Sequence, residues 1–262
     1  MTGGYSAGPF ARIIAWATVL YLILPITIVL PVSVTDQRFL SLPQEGISFR
    51  HYANLLTSES WLNSIWQSAL IAVASTVIAV VAGTLCAIGC WRIGRRSTEL
   101  LRAVMLLPLI IPSIVYAIGL YRYFGKLDLL DRFLGVTLAH GVTDIPYVII
   151  TVSTALAAFD PRLEQAARGM GASLGQTLRW VILPRIFPGI ASGAIFAFIH
   201  SWDELVMVLF IASRQVFTLP RKIWDGINEN LDPSMAAVAV LLILFTITLL
   251  AVDGMLRSRR DP

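Results

Sequence analysis

The sequence predicts an all-α membrane protein with about six transmembrane helices, and three observations carry that prediction. Hydrophobic residues make up 56% of the chain and charged residues only 14%, against roughly 25% charged in soluble domains. Six apolar runs, at 13–34, 62–90, 100–123, 134–158, 186–212 and 235–256, are each long enough to cross a hydrocarbon core of about 30 Å as a helix. The basic residues sit at the ends of these runs instead of on one continuous surface, which is how topology signals are arranged.

The first run follows Arg12. It is longer than the roughly 7–15 residue core of a secretory signal and lacks an A-x-A cleavage site, so an uncleaved first span is expected. Segment 35–61 is polar and carries the turn formers Pro43 and Gly46. The second run contains Cys86 and Cys90, four apart on one helix face, with no His or further Cys nearby in sequence. Packing is the expected role; no metal site is. The third run contains Pro108 and Pro112, the first Pro25 and Pro31, and the fourth Pro146. A proline in lipid frees a backbone carbonyl that a neighbouring helix or a watery cavity must satisfy, so these helices are expected to line an interior. The fifth run opens with Gly189 and Gly193 in G-x-x-x-G spacing, read as a close crossing within the chain instead of a dimer face. Segment 213–234 is again polar, with Pro220, Asp232 and Pro233 around the amphipathic stretch Arg221 to Ile227, whose Trp224 suits a membrane boundary.

Placing the N-terminus, the Trp91–Arg96 link, the 159–185 segment and the C-terminus on one side collects twelve of the 20 Lys and Arg there, including Arg92, Arg95, Arg96, Arg257, Arg259 and Arg260. Basic residues near span ends stay in the cytoplasm, so both termini are expected inside. Short loops leave no room for a soluble catalytic domain, and residues 1–262 are expected to form one transmembrane domain. The net charge of +4 is scattered, which excludes a nucleic-acid surface. There is no G-x-x-x-x-G-K-[ST] loop, so any ATP must be handled by another chain.

The link between the fourth and fifth spans is the most informative segment. Asp160-Pro161 is a helix start, with proline at the first helical position and acidic residues near the positive end of the dipole. Gly169 and Gly171 stop the helix, and 176–184 reads as a second short amphipathic piece returning to the membrane. This link resembles the cytoplasmic signature E-A-A-x(3)-G-x(9)-I-x-L-P of permease subunits of binding-protein-dependent ABC importers. Registered on Gly171, the signature falls on Gln165, Ala166, Ala167, Gly171, Val181, Leu183 and Pro184. Gln165 stands for the family Glu and Val181 for Ile; Glu164 is adjacent but points about 100° away around the helix. The resemblance spans most of the chain and is nearest the spermidine/putrescine-type permeases. It extends through His140, Pro146-Tyr147, Ser201-Trp202-Asp203-Glu204, Thr218-Leu219-Pro220 and Asp232-Pro233.

That resemblance implies a type I importer permease of the bacterial inner membrane, itself no enzyme and holding no cofactor. It implies a second permease subunit in a heterodimer, a dimer of ATPase subunits carrying ATP and Mg, and a periplasmic or lipid-anchored solute-binding protein. The segment Glu164 to Gly171, with Val181, Leu183 and Pro184, is expected to couple to the ATPase. Asp144, Tyr147, Trp202, Asp203 and Glu204 are candidates for the translocation path, because carboxylates inside a span usually face a cavity or an ion pathway. With no basic residue read in the same stretches, they point to a cationic amine, with Tyr147 and Trp202 able to offer cation–π faces. An opine, an aminophosphonate, thiamine or ferric iron are the alternative solutes, and an ATP-independent secondary transporter is the alternative class.

Overall fold

The computed structural model describes residues 8–212, 214–229 and 232–258, and every regular element among them is helical. The basic C-terminal group Arg257, Arg259 and Arg260 falls outside the described side chains. The elements are α1 (Pro9–Ser33), α2 (Arg50–Thr57), α3 (Glu59–Ile93), α4 (Arg96–Leu106), α5 (Ser113–Lys126), α6 (Phe133–Ala157), α7 (Pro161–Gly169), α8 (Leu174–Thr177), α9 (Leu183–Asp203), α10 (Val206–Ile211), α11 (Leu219–Glu229) and α12 (Ser234–Ser258). Five helices are long and apolar enough to cross a membrane, and α4 with α5 makes a sixth apolar unit.

Two of the expected spans differ from straight helices. The run at 100–123 is broken: α4 ends in a 3-10 turn at Leu107–Leu109, and α5 leaves at 101° to the direction of arrival. Pro108 and Pro112 explain the break, since each lacks an N–H and restricts the residue before it to extended backbone. Pro112 itself is the N-cap of α5, with ψ 138°. The run at 186–212 is displaced towards the N-terminus, because one continuous apolar helix covers Leu174–Asp203. The second amphipathic piece expected over 176–184 is therefore the foot of this span and no separate helix. Helix α9 stops at Glu204, whose extended backbone (ψ 113°) leads into the short α10.

The foot of that span contains a π-helical turn, Leu178–Ile182, in which the Leu183 N–H reaches back to the Leu178 carbonyl. Pro184 follows directly. Its ring cannot sit over the carbonyl four residues earlier, and widening the preceding turn relieves the clash.

The chain divides into two compact units, residues 1–62 with 223–245 and residues 63–222 with 246–262. In the first, α1 keeps its most apolar stretch unburied by this chain. Its C-terminal Ser33 bonds Tyr52 of α2 at 2.8 Å, and Asn54 of α2 donates to Ser234 at the start of α12 at 3.1 Å. Asp36, in the loop after α1, accepts the Gln44 N–H at 3.0 Å.

The second unit carries the core. Helices α6 and α9 make its main pairing, and the glycine spacing on α9 is what lets them meet. A Cβ on Gly193 would lie 2.5 Å from Thr151 Oγ1 and 2.9 Å from the Val148 Cα, and one on Gly189 would lie 2.8 Å from the Thr151 carbonyl. The G-x-x-x-G pattern is thus an intrachain crossing in which the two backbones approach closely. One apolar cluster joins Val148, Val152, Leu156 and Phe159 to Ile182, Ile186 and Ala197 and to Ala87 and Ile88 of α3. Another joins Ile71, Ala117, Val136 and Ala139 to Met207, Val208 and Ile211 of α10. Asp131, in the turn before α6, accepts the backbone N–H groups of Arg214 and Gln215 at 2.9 Å and so pins the segment after α10.

Candidate functional site

Two groups of the expected residues are brought together, one around the link that joins α6 to α9 and one within the α6–α9 pair. The first is α7 and its surroundings. Asp160 is the N-cap, its Oδ1 accepting the Arg162 N–H at 2.9 Å, and Pro161 takes the first helical position. The exit is a Schellman turn: the Ala172 N–H bonds the Ala167 carbonyl at 3.1 Å and the Gly171 N–H bonds the Arg168 carbonyl at 3.0 Å. This places Gly171 in the left-handed region at φ +90°, which glycine adopts without strain. Gly171 therefore ends the helix.

Across α7 the residues divide by face. Arg162, Gln165, Ala166 and Gly169 are exposed, while Ala167 is buried and Glu164 turns inward. Glu164 forms an ion pair with Arg92 at the end of α3, at 3.1 Å. The next helix starts with a capping box in which Ser173 and Gln176 bond each other's backbone N–H groups. Val181 and Leu183 pack against the cluster around Ile182 and Ile186, and Pro184 is exposed.

The second group lies within the α6–α9 pair. Asp144 is fully buried and its Oδ1 is 2.8 Å from Nδ1 of His200. The other ring nitrogen of His200 faces Glu204 Oε2 at 4.0 Å. Tyr147 lies against the His200 ring, with centroids 4.9 Å apart. One helical position along, His140 Nδ1 is 2.8 Å from Ser201 Oγ, which accepts from Ser75 of α3 at 2.9 Å. Polar groups in such surroundings are costly unless they bond one another; Asp144 and His140 each do so through one atom, while Asp144 Oδ2 and His140 Nε2 are buried with no hydrogen-bond partner among the described residues.

This geometry corrects the reading that no basic group shares the stretches with the carboxylates. His200 stands between Asp144 and Glu204, and it was legible as the residue three before Asp203 on the same helix face as the acids. Glu204 is nearly buried and is also tied to backbone, accepting the Met207 N–H at 3.0 Å. Asp203, by contrast, is exposed. Trp202 is buried and stacks on Phe198, with centroids 5.6 Å apart. A further intramembrane carboxylate that the sequence reading passed over, Asp253 of α12, is buried and accepts a hydrogen bond from Ser192.

Residues 79–261 match the family described as binding-protein-dependent transport system inner membrane component. The chain belongs to that family. This permease is similar to the spermidine/putrescine transport system permease protein PotC of Haemophilus influenzae, 27% identical over 92% of this chain and 93% of the relative. PotC of Escherichia coli is 28% identical over 90% of this chain and 89% of the relative. The molybdenum transport system permease protein ModB of Mycobacterium tuberculosis is 33% identical, covering 82% and 88%. Among solved structures, a bacterial ABC transporter involved in import of the acidic polysaccharide alginate superposes with a TM-score of 0.63 at 18% identity, over 97% of this chain and 96% of that one. The MetNI methionine ABC transporter gives 0.62 at 19% identity over 77% and 99%. The permease thus has the fold of ABC importer membrane subunits and is an inner-membrane component of such an importer.

Proposed function

We infer that this permease encloses half of a translocation path with a second, related permease, and that α7 is the surface on which a separate ATPase subunit docks. The observation that carries this is the division of α7 into an inward face, held by Glu164 and Ala167, and an exposed face of Arg162, Gln165, Ala166 and Gly169. Small side chains on the outer face let a partner approach closely. ATP and Mg belong to that ATPase dimer, and this chain holds no cofactor. The distribution of Lys and Arg supports cytoplasmic termini and a cytoplasmic α7, which leaves the opposite side to a solute-binding protein.

The proposed solute is a small organic amine such as a polyamine. Supporting it are the PotC relatives, matched over about nine-tenths of both chains, and the exposed carboxylate of Asp203 beside the buried polar cluster. The relative named for molybdenum transport, at higher identity, favours as a second reading a different solute selected by the binding protein. Co-expression with the cognate ATPase, permease and binding protein tests both levels. Co-purification of the ATPase with this chain and ATP-dependent uptake of labelled putrescine into proteoliposomes are the expected results. Uptake without an ATPase overturns the importer mechanism, and co-purification without putrescine uptake or competition overturns the amine assignment alone.

A further inference from the structure

We propose that the Arg92–Glu164 ion pair is the strut through which movement of the docked α7 is passed to α3. This rests on the docking role of α7 inferred above.

Three features point to it. First, the outward face of α7 is available to a partner, so a displacement of α7 reaches the spans through its inward face, which also packs on α8 and the π turn at the foot of the α9 span. Of that face, Ala167 offers one methyl group, whereas Glu164 reaches across to another helix. Second, each member of the pair sits where its charge is favoured in its own helix: Arg92 in the last turn of α3 and Glu164 in the first turn of α7. Opposed helix ends, the negative end of one and the positive end of the other, reinforce the contact. Third, the pair is sheltered, with 29% and 17% of the two side chains exposed. Beside it, Trp91 meets Phe159 edge-on, with centroids 5.8 Å apart. Phe159 is the residue before the Asp160 cap, so α3 is held to both the entrance and the first turn of α7.

Gln165 occupies the position where related permeases carry Glu and faces outward, whereas Glu164 is engaged inside the chain. The two neighbours therefore have separate tasks, one towards the partner and one towards α3. The family position lost a charge, and the charge beside it serves transmission and not docking.

Native thiols on α3 give a readout that needs no knowledge of the solute. Cys86 and Cys90 lie six and two residues before Arg92 on α3 and are partly buried, and Cys90 lines a cavity of about 240 Å³ with Trp91, Gly94, Glu99 and Arg102. In the assembled transporter, the rate at which N-ethylmaleimide modifies the Cys86–Cys90 peptide is followed by mass spectrometry with and without ATP and Mg. The native assembly is expected to show a nucleotide-dependent change of roughly fivefold or more, the lower end of ordinary coupling between sites. Arg92→Gln is expected to flatten that change while the ATPase still co-purifies, Arg92→Lys to keep most of it, and Arg92→Glu with Glu164→Arg to restore it. A native-size response in Arg92→Gln, or no restoration by the charge exchange, overturns the strut. An absence of any nucleotide response in the native assembly overturns it as well. Failure of the ATPase to co-purify with the native chain instead removes the docking role on which the proposal stands.

Discussion

Replacing His200 should expose how the α6–α9 pair depends on the bond between its buried acid and base. Asp144 has no exposed surface, and His200 Nδ1 lies 2.8 Å from its Oδ1. His200→Ala strands a carboxylate in apolar surroundings, for which about 3–5 kcal/mol is the usual cost when one member of a buried pair is removed. Asp144→Ala similarly leaves the imidazole without its partner, though Glu204 at 4.0 Å softens the loss. The double variant removes both groups and so avoids the uncompensated charge. The coupling energy of the cycle is therefore expected to be at least ~2 kcal/mol, above the roughly 0.6 kcal/mol average for polar contacts between membrane helices. The assay is reversible unfolding of the purified permease in mixed micelles for the native chain, both single variants and the double. Asp203→Asn serves as an exposed-site control that should leave stability within about 0.5 kcal/mol. A coupling energy of about 0.6 kcal/mol or less would refute the claim that this pair holds the helices together beyond an ordinary polar contact.

Gly193→Ala should cost about 1–3 kcal/mol in the same assay, because its methyl would meet the Val148 backbone at 2.9 Å, whereas Gly254→Ala, facing open space, should be neutral. Gly171→Ala forces a methyl-bearing residue to φ +90° and should destabilise the α7 exit by about 1–2 kcal/mol, while Gly169→Ala, with no neighbour within 4 Å, should not; limited proteolysis of the 159–185 link would separate them. The Asp36 carboxyl is held below its ordinary value of 3.8, chiefly by the Gln44 N–H. A depressed value means the bond's contribution is fully present above that ordinary value and is lost as pH falls through the lowered one. Protection of the Gln44 amide, corrected for intrinsic exchange, should therefore hold at pH 5 and fade only under more acidic conditions; loss already at pH 5 would contradict it.

Much of the architecture was legible without the fold. Apolar run length marks helices that can cross a bilayer, because every backbone group must be bonded within the helix there, and the five long apolar helices and the bent α4–α5 pair each overlap one of the six runs. The Asp160-Pro161 start and the glycines after α7 were legible because capping and left-handed backbone are local demands that particular side chains meet. The G-x-x-x-G spacing announced a close crossing for the same kind of reason.

Tertiary structure decided the rest. Nothing local in the run at 100–123 sets a 101° bend; the prolines permit a break, and only packing sets its angle. Hydropathy could not show that the apolar helix beginning at Leu174 ends at Asp203, because the residues of α10 beyond it are as apolar as those before. Above all, residues far apart in sequence meet only in the folded chain: Asp144 with His200, Arg92 with Glu164, Ser192 with Asp253. A sequence records each charge and its helix face, but the partner that neutralises it is chosen by which faces pack together.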